Sequence, residues 1–317
     1  MITNNKDCEL VAMADIAGQD KLGIDSYKVP FFSSVDELLE QAPPFDVLSI
    51  ATPNGLHEEH ALKGLTAGRH VVVEKPMALT KAGCEKIIYE ALHRHKQVFC
   101  VMQNRYSPPS VWLKEILTNK LLGEVFMVQI NCFWNRDGRY YKKGGWHGTK
   151  SLDGGTLYTQ FSHFVDIMFW LFGDIENVRG KFKNFNHEGL TEFEDSGLIQ
   201  FDFVSGGMGS LAYTTSVWNE NYESSMTIIG EKGTVKCGGQ YMNKVEYCNI
   251  ENYTMPELAP SNPPNDYGPY KGSAANHHYI YENICDVLNG RAPITTNALE
   301  GLKVIEIIEK IYQLKTN

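Results

Sequence analysis

What most constrains this chain is an alternation of short apolar runs with amphipathic stretches over roughly its first 120 residues. Apolar runs without an alternating polar face are buried on both sides, and strands of that kind interleaved with helices make a parallel sheet covered by helices. The expected strands are Leu10 to Ile16 (LVAMADI), Asp46 to Thr52 (DVLSIAT), His70 to Val73 (HVVV) and Val98 to Gln103 (VFCVMQ). Val35 to Gln41, His57 to Ala67 and Lys81 to Lys96 read as the helices between them. After Pro109 a further helix, VWLKEILTNKLLG, is expected to end on Gly123, and EVFMVQINCFW follows as a strand.

The second half has a different texture. One apolar helix, Gly155 to Gly173, precedes strand-like runs at Val178 to Phe185, Gly197 to Phe203, Gly207 to Val217 and Ser225 to Ile229. Strands grouped in this way form an open, mainly antiparallel sheet. A proline-rich stretch, Thr254 to Asn276, separates that sheet from two closing helices. The fold class is therefore α/β plus α+β, divided as residues 1–104 and 105–317, with the final helix packing back on the first domain.

A formal net charge of -9 argues against a nucleic-acid surface, which clusters Lys and Arg. The seven cysteines are odd in number, widely spaced and never Cys-x-x-Cys, so neither a disulfide framework nor a metal site is expected. No apolar run approaches the ~20 residues of a membrane helix, and MITNNKDCEL has no apolar signal core. The expectation is a cytoplasmic protein without a membrane partner.

Chemistry enters with SIATPNGLHEEHALKGLTAGRHVVVEKPMALT, Ser49 to Thr80. A strand ending in Thr-Pro, a helix, a second strand and then Glu-Lys-Pro resembles the core signature of the Gfo/Idh/MocA oxidoreductases. QNRY (Gln103 to Tyr106), GGTLYTQFSHFVD (Gly154 to Asp166) and the C-terminal segment from NHHYIYENICDVLNG onward are similar to that family in the same order. The resemblance covers almost the whole chain. It implies a Rossmann-type parallel sheet binding a dinucleotide, then a domain whose open sheet makes oligomer contacts, as a homodimer or homotetramer.

The resemblance also implies roles. Lys75 and His163 face the nicotinamide as a catalytic pair: a neutral imidazole accepts the proton of a secondary alcohol while an ammonium stabilises the developing alkoxide. Thr159 stands where relatives commonly carry Asp or Asn; it is expected to share a helical face with His163 at i, i+4, and His163 to carry the proton alone or through Thr159 as a hydrogen-bond relay. Thr52, Pro53, Asn54, His57, Glu74, Lys75 and Gln103 are expected cofactor contacts. Arg105, Tyr141, Trp146, His163 and His278 are expected substrate contacts, with a structural ion pair as the alternative for Arg105; at most one of His277 and His278 is expected to reach the substrate, and Arg139, Tyr140 and His147 share the aromatic and basic loop of Tyr141 and Trp146, GRYYKKGGWHG.

Asp15 closes the strand LVAMAD, where a carboxylate accepts hydrogen bonds from ribose hydroxyls and repels a 2'-phosphate, which favours NAD over NADP. The glycine fingerprint normally lies about 20 residues before such an acid, which here is ahead of Met1. The expectation is a chain that begins at an internal methionine and lacks the first strand and glycine loop. YYKKGGWHGTKSLDGG is similar to family members that oxidise nucleotide-linked sugars, so the expected reaction is oxidation of a ring hydroxyl on a sugar or nucleotide-sugar. NAD-dependent glycoside hydrolysis and a non-catalytic dinucleotide or sugar sensor are the alternatives.

Overall fold

The computed structural model describes residues 2–316. The first half alternates strands and helices: β1 (Met13–Ala14), α1 (Gln19–Leu22), β2 (Phe31–Phe32), α2 (Val35–Gln41), β3 (Val47–Ile50), α3 (His57–Thr66), β4 (His70–Val73), α4 (Lys81–His93), β5 (Val98–Cys100) and α5 (Pro108–Thr118). The parallel strands form two separate ladders, β1–β2 and β3–β4–β5. Val71, Val72 and Val73 are almost wholly buried, as a run covered on both faces must be. The strand expected over Leu10 to Ile16 shrinks to Met13–Ala14, and Ile16 is 97% exposed. With β2 on one side only, most of that apolar run has no ladder to join.

The second half contributes β6 (Val125–Phe133), α6 (Thr156–Thr159), α7 (Ser162–Phe172), β7 (Ile175–Lys183), β8 (Ser196–Phe203), β9 (Met208–Thr214), β10 (Glu223–Gly230), β11 (Gly233–Gly238), β12 (Lys244–Ile250), β13 (Pro264–Asp266), β14 (Lys271–Ala274), α8 (His277–Leu288) and α9 (Ala298–Tyr312). Seven of these strands form one sheet in the order β12-β11-β10-β6-β9-β8-β7. Every neighbouring pair is antiparallel except β6–β9. In β6 the side chains of Val128, Ile130 and Cys132 are buried and those of Met127 and Gln129 are exposed, so the sheet has one covered and one open face.

The apolar helix α7 lies against the covered face, and α9 joins the two halves. Its start is fixed by an Asn297–Glu300 capping box, and the Cys100 amide donates to the Thr296 carbonyl at 2.9 Å. Gly301 lets α9 come close: a Cβ there meets Cys100 Sγ at 2.6 Å. One continuous core runs from Val71 and Ile87 through Val304 and Ile307 to Phe164 and Ile130.

Two expected helices differ from their sequence reading. The helix after Pro109 ends at Thr118, five residues before Gly123, with Asn119 as its cap. The stretch Gly155 to Gly173 is not one helix, because α6 and α7 are interrupted at Gln160 and Phe161, and the Gln160 side chain pairs with Arg136 and Tyr140. Thr159 and His163 therefore lie on different helices. Among the described residues no helix is long and apolar enough to cross a membrane, and no group of three or more His, Cys, Asp or Glu could hold a metal ion.

Candidate active site

Glu74 and Lys75 follow β4 at its carboxyl end, where open α/β sheets present their ligand-binding groups. The Lys75 Nζ donates to the carbonyl of Thr159 at 2.7 Å. The Thr159 hydroxyl accepts from Asn54 Nδ2 at 2.7 Å and donates to Asp153 Oδ1. Asn54 Nδ2 also reaches the Asp153 carbonyl at 2.8 Å. Burial lowers the pKa of Lys75 and Arg136 adds to this, against the opposing charges of Glu74 and Asp153.

His163 is 3% exposed on α7, with its Nε2 3.2 Å from Gln103 Nε2. Burial, then the charges of Lys75 and His277, drive its pKa well below the ordinary histidine value, so the ring is neutral. Its Nδ1 and the Gln103 Oε1 are buried with no partner in the protein. Leaving two such groups bare costs about 1–3 kcal/mol each, a cost that a bound polar ligand removes. Glu74 faces His277, whose Nε2 is 3.5 Å from Oε1. Burial alone raises the Glu74 pKa, but His277, Lys75 and His57 bring it below the ordinary carboxylate value.

The sequence reading passed over Asp153, which is 1% exposed. Its Oδ2 accepts from the Gly148 amide at 2.7 Å and lies 3.9 Å from His147 Nδ1. Burial raises its pKa to about 6, against the Thr159 and Gly148 hydrogen bonds and the Lys75 charge. The one available signal was a lone acid before Gly154-Gly155. Both glycines have positive φ, 89° and 147°, which lets the chain turn sharply from Asp153 into α6. Arg136 was also passed over. It is 2% exposed, lies over Trp134, Tyr140 and Tyr270, and is bonded to Gln160, Asn135, Asn221 and the Lys271 carbonyl.

Several expected contacts take other parts. Thr159 makes no bond to His163 among the described residues; its hydroxyl is held by Asn54 and Asp153, which leaves no relay of the expected kind. His57 is 1% exposed and its two ring nitrogens meet the carbonyls of Pro76 (2.7 Å) and Thr52 (2.8 Å), so it ties two loops together. The Arg105 guanidinium is taken up by Asp166 at 2.6 Å and Glu300 at 2.9 Å, the ion-pair alternative that its sequence position left open. Tyr141 is 3% exposed and packs edge-on against Tyr140 and beside His187, inside a small aromatic cluster. His277, not His278, reaches Glu74; the His278 ring lies against Tyr279, because adjacent helical residues point in different directions.

Thr52 Oγ1 meets His60 Nδ1 at 3.0 Å, and Pro53 begins the turn that carries Asn54. Trp146 is half-buried against His147, 3.7 Å between ring centres. Arg139 is drawn to Asp137, Asn135 and the Asn219 carbonyl. Asp15 is exposed just beyond β1, its Oδ1 accepting from the Ala17 amide at 2.7 Å.

Comparison with known proteins bears on this arrangement. Residues 1–102 match the model of an oxidoreductase family with an NAD-binding Rossmann fold, and residues 111–236 match the GFO/IDH/MocA C-terminal domain. The chain is similar to the crystal structure of the WlbA dehydrogenase from Bordetella pertussis in complex with NADH and UDP-GlcNAcA, with 30% identity, a TM-score of 0.87, and coverage of 98% of this chain and 89% of that one. The chain belongs to the Gfo/Idh/MocA family. Glucose-6-phosphate 3-dehydrogenase from Bacillus subtilis is 23% identical over 98% of this chain and 91% of its own length. An uncharacterized oxidoreductase from Synechocystis is 25% identical over 65% of this chain, which spans 58% of that relative's length.

As a Gfo/Idh/MocA protein the chain is an NAD-binding oxidoreductase. The residues present fit a bound polar cofactor: beside Lys75 and neutral His163, polar atoms of Gln103 and His163 are buried without a partner in the protein.

Proposed function

We propose that this protein oxidises a ring hydroxyl of a nucleotide-linked sugar, with Lys75 and His163 as the catalytic pair. The reading rests on one observation above the others: Lys75, from the first half of the chain, donates to the carbonyl of Thr159, four residues before His163, whose buried ring nitrogen has no partner in the protein. With the Gln103 amide turned so that Oε1 accepts from the ring's Nε2–H, His163 takes the hydroxyl proton at its unoccupied Nδ1. Lys75, held by the Thr159 carbonyl, donates to the same oxygen and stabilises its growing negative charge. NAD, when bound, supplies the acceptor for the hydride.

Glu74, Gln103 and Trp146 are the further cofactor and substrate contacts in this reading, with Thr52, Pro53 and Asp15 toward the adenosine side. The B. pertussis neighbour was solved with a UDP-linked sugar, which supports that substrate class over free polyols. The test is nicotinamide absorbance during incubation with NAD and a panel of UDP-sugars, sugar phosphates and free polyols. Reduction with UDP-sugars supports the proposal; turnover confined to free polyols contradicts it.

A further inference from the structure

Asp153 has no part in the proton transfer just described, yet it is the most buried carboxylate near Lys75. It comes to that position through a short chain of bonds. Gly154 and Gly155 take backbone angles that an L side chain rarely adopts, and a Cβ on Gly154 would stand 2.4 Å from Leu79 Cδ2. The turn therefore brings Asp153 back onto Thr159, whose hydroxyl donates to it and whose carbonyl receives the Lys75 ammonium. Asn54 clasps both residues from the other domain.

We propose that Asp153 is a positioning residue for the Lys75 ammonium, acting through the hydroxyl and the carbonyl of Thr159. The other helix of the pair supplies no carboxylate, since residue 159 is a threonine, and the acid comes instead from the preceding turn. Its effect is twofold. It fixes the carbonyl on which Lys75 rests, and its negative charge favours the protonated amine in a setting where burial and Arg136 disfavour it. The charged and titratable groups acting on Lys75 or acted on by it are Glu74, Arg136, His147, Asp153, His57 and His163. Glu74 shares its charge with His277, and Glu194, the further acid acting on Asp153, is paired with Lys315. Asp153 is thus the carboxylate whose loss Lys75 feels without another cation being released.

The inference rests on Lys75 being the group that acts on the substrate oxygen, but its test reads the amine itself and needs no turnover. The ligand-free protein is treated with trinitrobenzenesulfonate across a range of pH, and modification of Lys75 is followed by peptide mass. Asp153→Asn keeps the size and an oxygen for the Thr159 hydroxyl but removes the charge. Its midpoint for Lys75 modification is expected about one unit below that of the parent protein. Thr159→Val, which cuts the hydroxyl bridge, is expected to shift it in the same direction by less, and decides the matter if Asp153→Asn does not fold. An unchanged midpoint in a folded variant overturns the proposal, and absence of turnover with the sugar panel leaves this measurement intact.

Discussion

Lys75 meets Thr159 through a carbonyl rather than through the threonine hydroxyl: Nζ donates to the backbone oxygen at 2.7 Å while Oγ1 is held by Asn54 and Asp153. The side chain at position 159 therefore does not exchange a proton with substrate in this arrangement. His163, from the next helix, is left to do so.

The pH dependence follows from the same surroundings. His163 acts as a base only when neutral, and burial with Lys75 and His277 lowers its pKa well below 6.5. Its protonation therefore removes activity only as pH falls below that value. Lys75 acts when charged, and burial lowers its pKa from 10.5, so activity is lost as pH rises through a value lower than that of a free lysine. A profile of kcat/KM against pH is expected to hold through pH 6.5 and to fall before 10.5; an acid limb centred above 6.5 contradicts the assignment of His163.

Arg105 is expected to matter for stability rather than for substrate binding. Arg105→Met leaves Asp166, which is wholly buried, without its partner. Breaking one side of such a pair costs about 3–5 kcal/mol. Urea denaturation should show that loss, with most of it recovered in an Arg105→Met/Asp166→Leu double variant. A large rise in KM with unchanged stability is the contrary result.

His57 gives a parallel case. His57→Phe fills the space but removes the single N–H that the neutral ring donates to one of the two carbonyls it meets, Thr52 or Pro76. A loss of about 1–3 kcal/mol in denaturant unfolding is expected from one unsatisfied buried carbonyl. Unchanged stability with weakened NAD binding, read by titration calorimetry, favours a direct cofactor contact instead.

Much of this was legible in the residues because the relevant signals are local. HVVV is a strand over the four residues expected, since a continuous apolar run between a loop and Glu-Lys-Pro has few other ways to be buried. Lys75 and His163 are named only through the family resemblance that their flanking motifs carry. Asp153 could not, because its significance comes from a turn that returns it to Thr159, and nothing in the spacing SLDGGTLYT marks that contact. The break between α6 and α7 escaped for a similar reason: Gln160 is an ordinary helix former whose side chain is claimed by Arg136, 24 residues earlier in the chain. Choosing between His277 and His278 required the phase of α8, which two adjacent histidines do not reveal.

The most direct test of the central claim is a double-mutant cycle on kcat/KM for a UDP-sugar, with Lys75→Met, His163→Phe and the two combined. If both groups act on one hydroxyl, each single change costs about 10²–10⁴-fold and the double variant is little worse than the poorer single one. Losses that multiply in the double variant contradict a shared point of action.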